Sequence, residues 1–204
     1  MRRLILVLVL VALPVSAEVP KRNVGKATLT FYWMIDESSS RYRHLEQNSR
    51  LRDMRGQVLA RTSRRFLLDL VREGTGSLKD GRTVVFVRRV DGESRFRVST
   101  TKYGLSSNGC PLVPFRTIAA DPHWIRNGSK LYIPQLKGTK LPDGTAHDGM
   151  FVATDRGHFG GSHVDIFTGA GPRATAPFIR HGNRSRSHVT VYVVEDGDFK
   201  DCKP

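Results

Sequence analysis

Between Phe115 and Val194 the chain is cut into short pieces. Runs rich in β-branched and aromatic residues (Phe115–Ala120, Ser129–Gln135, Met150–Thr154, His163–Phe167 and His188–Val194) alternate with turn signals. The separators are Pro122, Asn127-Gly128, Pro142-Asp143-Gly144, Gly157, Gly160-Gly161 and Gly169–Pro172. Runs this short read as strands, and glycine and proline between them read as turns. Upstream, Lys26–Met34 (KATLTFYWM) reads as a further strand, and Thr83–Val90 and Ser94–Thr101 as a hairpin turning at Asp91-Gly92. One helix is predicted over Thr62–Arg72, where Phe66, Leu67, Leu70 and Val71 recur at helical spacing before Gly74. The polar stretch Asp36–Asp53 reads as a loop or lid, and the tail Asp196–Pro204 as a polar end pinned at most by Cys202. Many short strands with one helix predict a mainly β chain: a closed barrel with a small helical insertion.

At 204 residues, 39% of them hydrophobic, the chain has the size of one domain and enough apolar mass for a core. Its first seventeen residues read as an address. Arg2 and Arg3 precede a ten-residue apolar run, Leu4–Leu13, and Val15-Ser16-Ala17 supplies small residues for cleavage. Ten helical residues span about 15 Å, half of a bilayer core, so a secretory leader over residues 1–17 is expected rather than an anchor. No later apolar run is long enough to span a membrane. The exported remainder, 18–204, is expected to be one soluble domain and a monomer, periplasmic or extracellular.

Export changes what the charge means. The chain holds 33 Lys and Arg against 19 Asp and Glu, a net +14. Without the leader, 31 basic side chains face 19 acids, a net +12. Outside the cytoplasm, nucleic acid is excluded as the expected partner, and anionic envelope polymers or membrane surfaces take its place. An exported chain also allows its two cysteines, Cys110 and Cys202, to pair, although spacing alone does not show that they do.

Four aspartates end or punctuate strands: Asp121 after FRTIAA, Asp148 before MFVAT, Asp155 after it, and Asp165 inside HVDIF. Asp143 and Asp148 read as turn formers. Asp165 differs, because a carboxylate between Val164 and Ile166 is costly unless hydrogen-bonded or functional. Strand alternation puts Val164 and Ile166 on one face and His163 and Asp165 on the other. Partly apolar surroundings would raise the Asp165 pKa, which suits a general acid. His158, His163 and Asp165 also have the chemistry of metal ligands, but no further ligand stands at a recognisable spacing. His147, His181 and His188 read as polar lining or surface. The glycines at 157, 160 and 161 match neither GxxxxGK[ST] nor GxGxxG.

The runs LVPFRTIAADPHWIRNGSKLYIPQL and HDGMFVATDRGHFGGSHVDIFTGAGP resemble the 3D domain. This family is named for three aspartates and is related to the catalytic barrel of membrane-bound lytic transglycosylase A. Asp121 matches the first aspartate (A-x-D-P), Asp155 the second (A-x-D-x-G) and Asp165 the third (I/V-D-x-F). Ile125–Pro134 resembles the stretch that follows the first, and ATLTFYW resembles the first barrel strand. The resemblance implies a double-psi β-barrel built from about 26–34 and 112–195, with 36–110 inserted. It also implies peptidoglycan as partner and cleavage of the MurNAc–GlcNAc β-1,4 bond, giving 1,6-anhydroMurNAc ends during wall turnover, with no cofactor and no metal. Asp165 then carries the acid/base role, supported by Asp155 and Asp121, which hold it in place and keep its pKa high by like charge. Tyr132, His163, Gly169, Gly171 and Arg173 are the expected substrate-contacting residues. The sequence departs from the family at His158, where a glycine is usual, and one residue is missing between the second and third aspartates. A non-catalytic, expansin-like glycan-binding barrel and a hydrolytic glycosidase are the competing readings.

Overall fold

The computed structural model describes residues 22–157, 159–197 and 202. The expected leader, His158 and most of the polar tail lie outside these residues. The described chain is mainly β. Its strands are β1 (Arg22–Asp36), β2 (Ser49–Arg52), β3 (Val58–Thr62), β4 (Thr75–Ser77), β5 (Thr83–Val90), β6 (Glu93–Ser99), β7 (Thr117–Ala120), β8 (Lys130–Tyr132), β9 (Met150–Asp155), β10 (His163–Ala170) and β11 (His188–Glu195). Two helices accompany them, α1 (Arg64–Glu73) and α2 (Ala176–Arg180).

β1 organises both halves of the molecule. Through Thr28–Tyr32 it pairs in parallel with β10, and through Arg22–Thr28 it pairs antiparallel with β11. Around the other side, β10 pairs with β7, β7 with β9, β9 with β8 and β8 with β11. The six strands therefore form a ring of pairings that closes on itself. One apolar cluster fills it, with Leu29, Ile118, Leu131, Phe151, Val164, Ile166 and Val191 all at or near zero exposure. Alternation explains the choice: on β10, Val164 and Ile166 turn into this cluster, and His163 and Asp165 turn away from it.

Beyond the ring, the last residues of β1, Ile35 and Asp36, pair with β4. There the chain enters a second sheet in the order β4-β5-β6-β2-β3. Helix α1 covers one face of it through Phe66 and Leu70, which meet Leu51, Val84 and Phe96 in a second core. The helix starts where Ser63 accepts a hydrogen bond from the Phe66 N–H, and it stops at Gly74, whose φ of 81° favours glycine. The expectation of a small helical insertion is thus corrected, because residues 36–110 hold one helix and five complete strands. The stretch read as a loop or lid contains β2. Its Ser-Arg-Leu-Arg pattern has a single apolar residue, too weak a signal for a strand until Leu51 is seen to be buried.

Cys110 and Cys202 form a disulfide with Cα atoms 5.1 Å apart and a sequence separation of 92. The loop holding Cys110 is folded on itself: Ser106 donates its N–H to the Cys110 carbonyl, and the Ser106 hydroxyl accepts from the Cys110 N–H. Closing so long a loop restricts the unfolded chain. Replacing both cysteines by serine is expected to lower unfolding stability by about 4–5 kcal/mol. Denaturant titration of the two proteins measures it, and equal midpoints would remove the bond from the account of stability.

Candidate active site

The register between β1 and β10 sets Thr30 opposite Asp165. The Thr30 hydroxyl donates to Asp165 Oδ1 at 2.7 Å and lies 2.7 Å from His163 Nε2. With the hydroxyl proton directed at Asp165, the histidine contact reads as Nε2–H donating to Thr30 Oγ1. His163 stacks on Phe159, ring centroids 3.9 Å apart, and burial holds its pKa below the ordinary value. Residues 28, 30 and 32 of β1 share one face and residues 163, 165 and 167 of β10 share one face. A Thr–His–Asp row therefore runs along the seam, flanked by the packed rings of Tyr32 and Phe167.

On the other side of Asp165 stands β7. Ala119 pairs with Asp165 on β10 and with Asp155 on β9. Two strand spacings of about 4.8 Å separate these aspartates, with only a methyl side chain between them. Asp155 is held fast. Its Oδ2 accepts from the Tyr32 hydroxyl at 2.8 Å, and its Oδ1 accepts from the N–H groups of Ser107 and Arg156, each at 2.8 Å. Ser107 belongs to the loop fastened by the disulfide, so that bond fixes a donor to this carboxylate. Tyr32 is pushed well above the ordinary tyrosine pKa by its burial and by the Asp155 charge.

Asp165 is pushed up to about 7, chiefly because burial strips its hydration. The negative charges of Glu73 and Asp155 add to this, and the Thr30 hydrogen bond works against it. Glu73 ends α1 and is itself raised by burial, although the Trp33 N–H and the Arg72 guanidinium oppose the shift.

Asp121 follows β7 just beyond Ala120, the partner of Val164. It accepts from the His123 N–H at 2.9 Å and the Gly161 N–H at 3.0 Å, and these bonds hold its carboxyl below the usual range. Through Gly161 it clasps the loop leading into β10. Gly169, at φ 113°, packs beside Pro114. The Gly171 N–H donates to the Met34 carbonyl, and Arg173 is exposed, so that all three lie at or beyond the end of β10 far from His163. Tyr132 is not brought to the aspartates. Leu131 takes the core side of β8, leaving Tyr132 beside Tyr192 and opposite Met150, at the other end of β9 from Asp155. His147, read as lining or surface, is buried against Phe151, with Nδ1 accepting from the Gly149 N–H and Nε2 at 2.6 Å from the Phe115 carbonyl. Among the described residues no three His, Cys, Asp or Glu side chains gather as a metal cage needs.

Thr30, Tyr32, Glu73 and Ser107 were missed by sequence reasoning. The first two carried a signal, since Thr28, Thr30 and Tyr32 alternate with Leu29 and Phe31 in the same way that His163 and Asp165 alternate with Val164 and Ile166. Glu73 and Ser107 carried none, because they arrive from other elements.

Residues 116–195 match the family model of the 3D domain, and all three aspartates fall within the match. Among solved structures the chain is similar to Escherichia coli MltA with bound chitohexaose, at 15% identity over 83% of this chain and 71% of that one, TM-score 0.55. It is also similar to the membrane-bound lytic murein transglycosylase of Agrobacterium tumefaciens (17% identity, 83% and 73% covered, TM-score 0.53) and to MltA of Neisseria gonorrhoeae (13%, 88% and 75%, TM-score 0.52). No curated protein sequence matches the chain. The fold is thus shared with the MltA lytic transglycosylases.

A raised carboxyl pKa makes stability depend on pH. Between about pH 4 and 7 the folded protein keeps a proton on Asp165 that the unfolded chain has lost, so this group costs stability as pH rises through that window. Asp165→Asn is expected to stabilise the fold at pH 8 by up to about 4 kcal/mol and to change it little at pH 4. Denaturant unfolding at both pH values measures the difference. Thr30→Val removes the opposing hydrogen bond and is expected to raise the Asp165 titration midpoint by about 1 pH unit, read by carboxyl carbon NMR. A lower midpoint would contradict the assignment.

Proposed function

We propose that the protein is a peptidoglycan lytic transglycosylase that cleaves the MurNAc–GlcNAc β-1,4 bond and leaves 1,6-anhydroMurNAc ends. The observation that carries this reading is the state of Asp165, a carboxyl held protonated near neutrality, beside a second aspartate whose oxygens are already engaged. Asp165 protonates the glycosidic oxygen. Its carboxylate then takes the proton from the C6 hydroxyl of MurNAc as that oxygen attacks the anomeric carbon and closes the anhydro ring. A pKa near 7 suits both halves of the cycle.

A two-carboxylate hydrolysis needs a second group free to attack or to activate water. Asp155 accepts three hydrogen bonds and acts instead as a fixed negative charge that favours the protonated form of Asp165. Asp121 shapes the loop into β10. His163 contacts the glycan from its place beside Asp165, and Gly169, Gly171 and Arg173 contact it farther along β10. The similarity to MltA supports reading the closed six-strand ring as a double-psi barrel over about 26–34 and 112–195, with 36–110 inserted, in one monomeric domain from residue 18. Export behind the leader places it where such glycan strands lie. No helix among the described residues is long and apolar enough to cross a membrane.

Incubation with purified sacculi followed by mass spectrometry tests this. Anhydro-muropeptides are expected, falling by at least about 100-fold with Asp165→Asn. The wild-type rate is expected to fall about tenfold per pH unit above 7, as the acid form is lost. Reducing-end products would indicate hydrolysis. Glycan binding without products would favour the expansin-like reading.

A further inference from the structure

The face of the second sheet turned away from α1 has no part in the site just described. On β2, Leu51 enters the core beneath α1, so Arg50 and Arg52 point the other way. The pairings carry this face across four adjacent strands. Arg61 of β3 lies opposite Arg50, Arg95 of β6 lies level with Arg52, and Arg88 of β5 lies opposite Arg95. Arg97 follows two residues after Arg95 on the same side. Six arginines thus share one sheet face with a single acid, Glu93, which pairs with Arg95 at 2.6 Å and reaches Arg52 at 4.0 Å. Arg50, Arg61, Arg88 and Arg97 are exposed, and among the described residues no ion pair engages them.

Like charges set directly opposite each other on a sheet are destabilising. The Arg50–Arg61 pair therefore works against folding unless an anion neutralises it, whereas Glu93 already neutralises Arg95 beside Arg88. All six cations are arginines, whose planar guanidinium binds phosphate bidentately. Their layout distinguishes a surface from a thread. Strands about 4.8 Å apart and side chains about 6.7 Å apart along each strand make a two-dimensional array, about 14 Å across four strands. A single polymer chain would neutralise one row of it. A plane of phosphates would meet its four exposed members, Arg50, Arg61, Arg88 and Arg97, together. Val58, opposite Arg52, and Val87, at the bulge beside Arg88, are exposed on the same face and add small apolar contacts at that plane.

We propose that this face docks the protein on an anionic phospholipid bilayer, a role independent of the glycan reading. The bound state is peripheral, held by guanidinium–phosphate contacts, and therefore weakens with salt.

The test is co-sedimentation of the chain from Glu18 onward, which keeps every described residue. The vesicles are phosphatidylglycerol mixed with phosphatidylcholine, against phosphatidylcholine alone. Binding is expected only to the anionic vesicles and is expected to be lost at high salt. The R50Q/R61Q/R97Q variant is expected to bind on the order of 100-fold more weakly, at about fivefold per arginine. Its unfolding midpoint is expected to equal or exceed that of the wild type, because the opposed charges are gone. Sacculi are pelleted with both proteins in parallel. Equal retention there, with loss on vesicles, supports the bilayer as partner. Equal vesicle binding by the two proteins, no binding to anionic vesicles at all, or a loss confined to sacculi would each overturn it.

Discussion

The parallel pairing of β1 with β10 is the contact on which the rest depends. It closes the six-strand ring, since β1 already holds β11 on its other edge. The same register sets Thr30 against Asp165, so ring closure and assembly of the candidate site are one event. A slip of one residue would turn Val164 and Ile166 out of the core and bury His163 and Asp165 in their place. The hydrophobic effect therefore protects the chemistry: the two apolar side chains, fully buried in the ring, specify where the two polar ones must point.

A second consequence is electrostatic. Asp165 loses hydration because it faces the seam between the ring and the inserted sheet, where Glu73 arrives at the end of α1. Asp155 sits two strands away across Ala119 and is held by donors from β1, from its own strand end and from the loop tied by the disulfide. The two aspartates have opposite surroundings. One is short of donors and holds its proton, and the other has its oxygens filled. Such a division of environments is how a fold assigns different roles to chemically identical groups.

The inserted sheet shows the reverse side of the same logic. Its apolar face is covered by α1, and its other face collects six of the chain's 33 basic side chains. In the linear sequence those residues are divided between a predicted hairpin and a polar stretch and look like general surface charge. Strand pairing gathers them on one plane, and only then do they form a local basic patch.

The sequence by itself determined the strand-rich character, the helix that ends at Gly74, and the polar face carrying Asp165, because these follow from alternation, helical spacing and turn chemistry within a few residues. The order of the aspartate motifs was equally legible and agrees with the 3D match over residues 116–195. Tertiary structure decided what depends on distant partners. It gave Thr30 and Tyr32 their places beside the aspartates, brought Glu73 and Ser107 from other elements, set Asp121 to clasping a loop, buried His147 and turned Tyr132 away. It also made a sheet of residues whose single apolar side chain, Leu51, could not announce one. The physical reason is range: a side chain's period along the chain is local, but its hydration and its hydrogen-bond partners are set by which strands lie next to it.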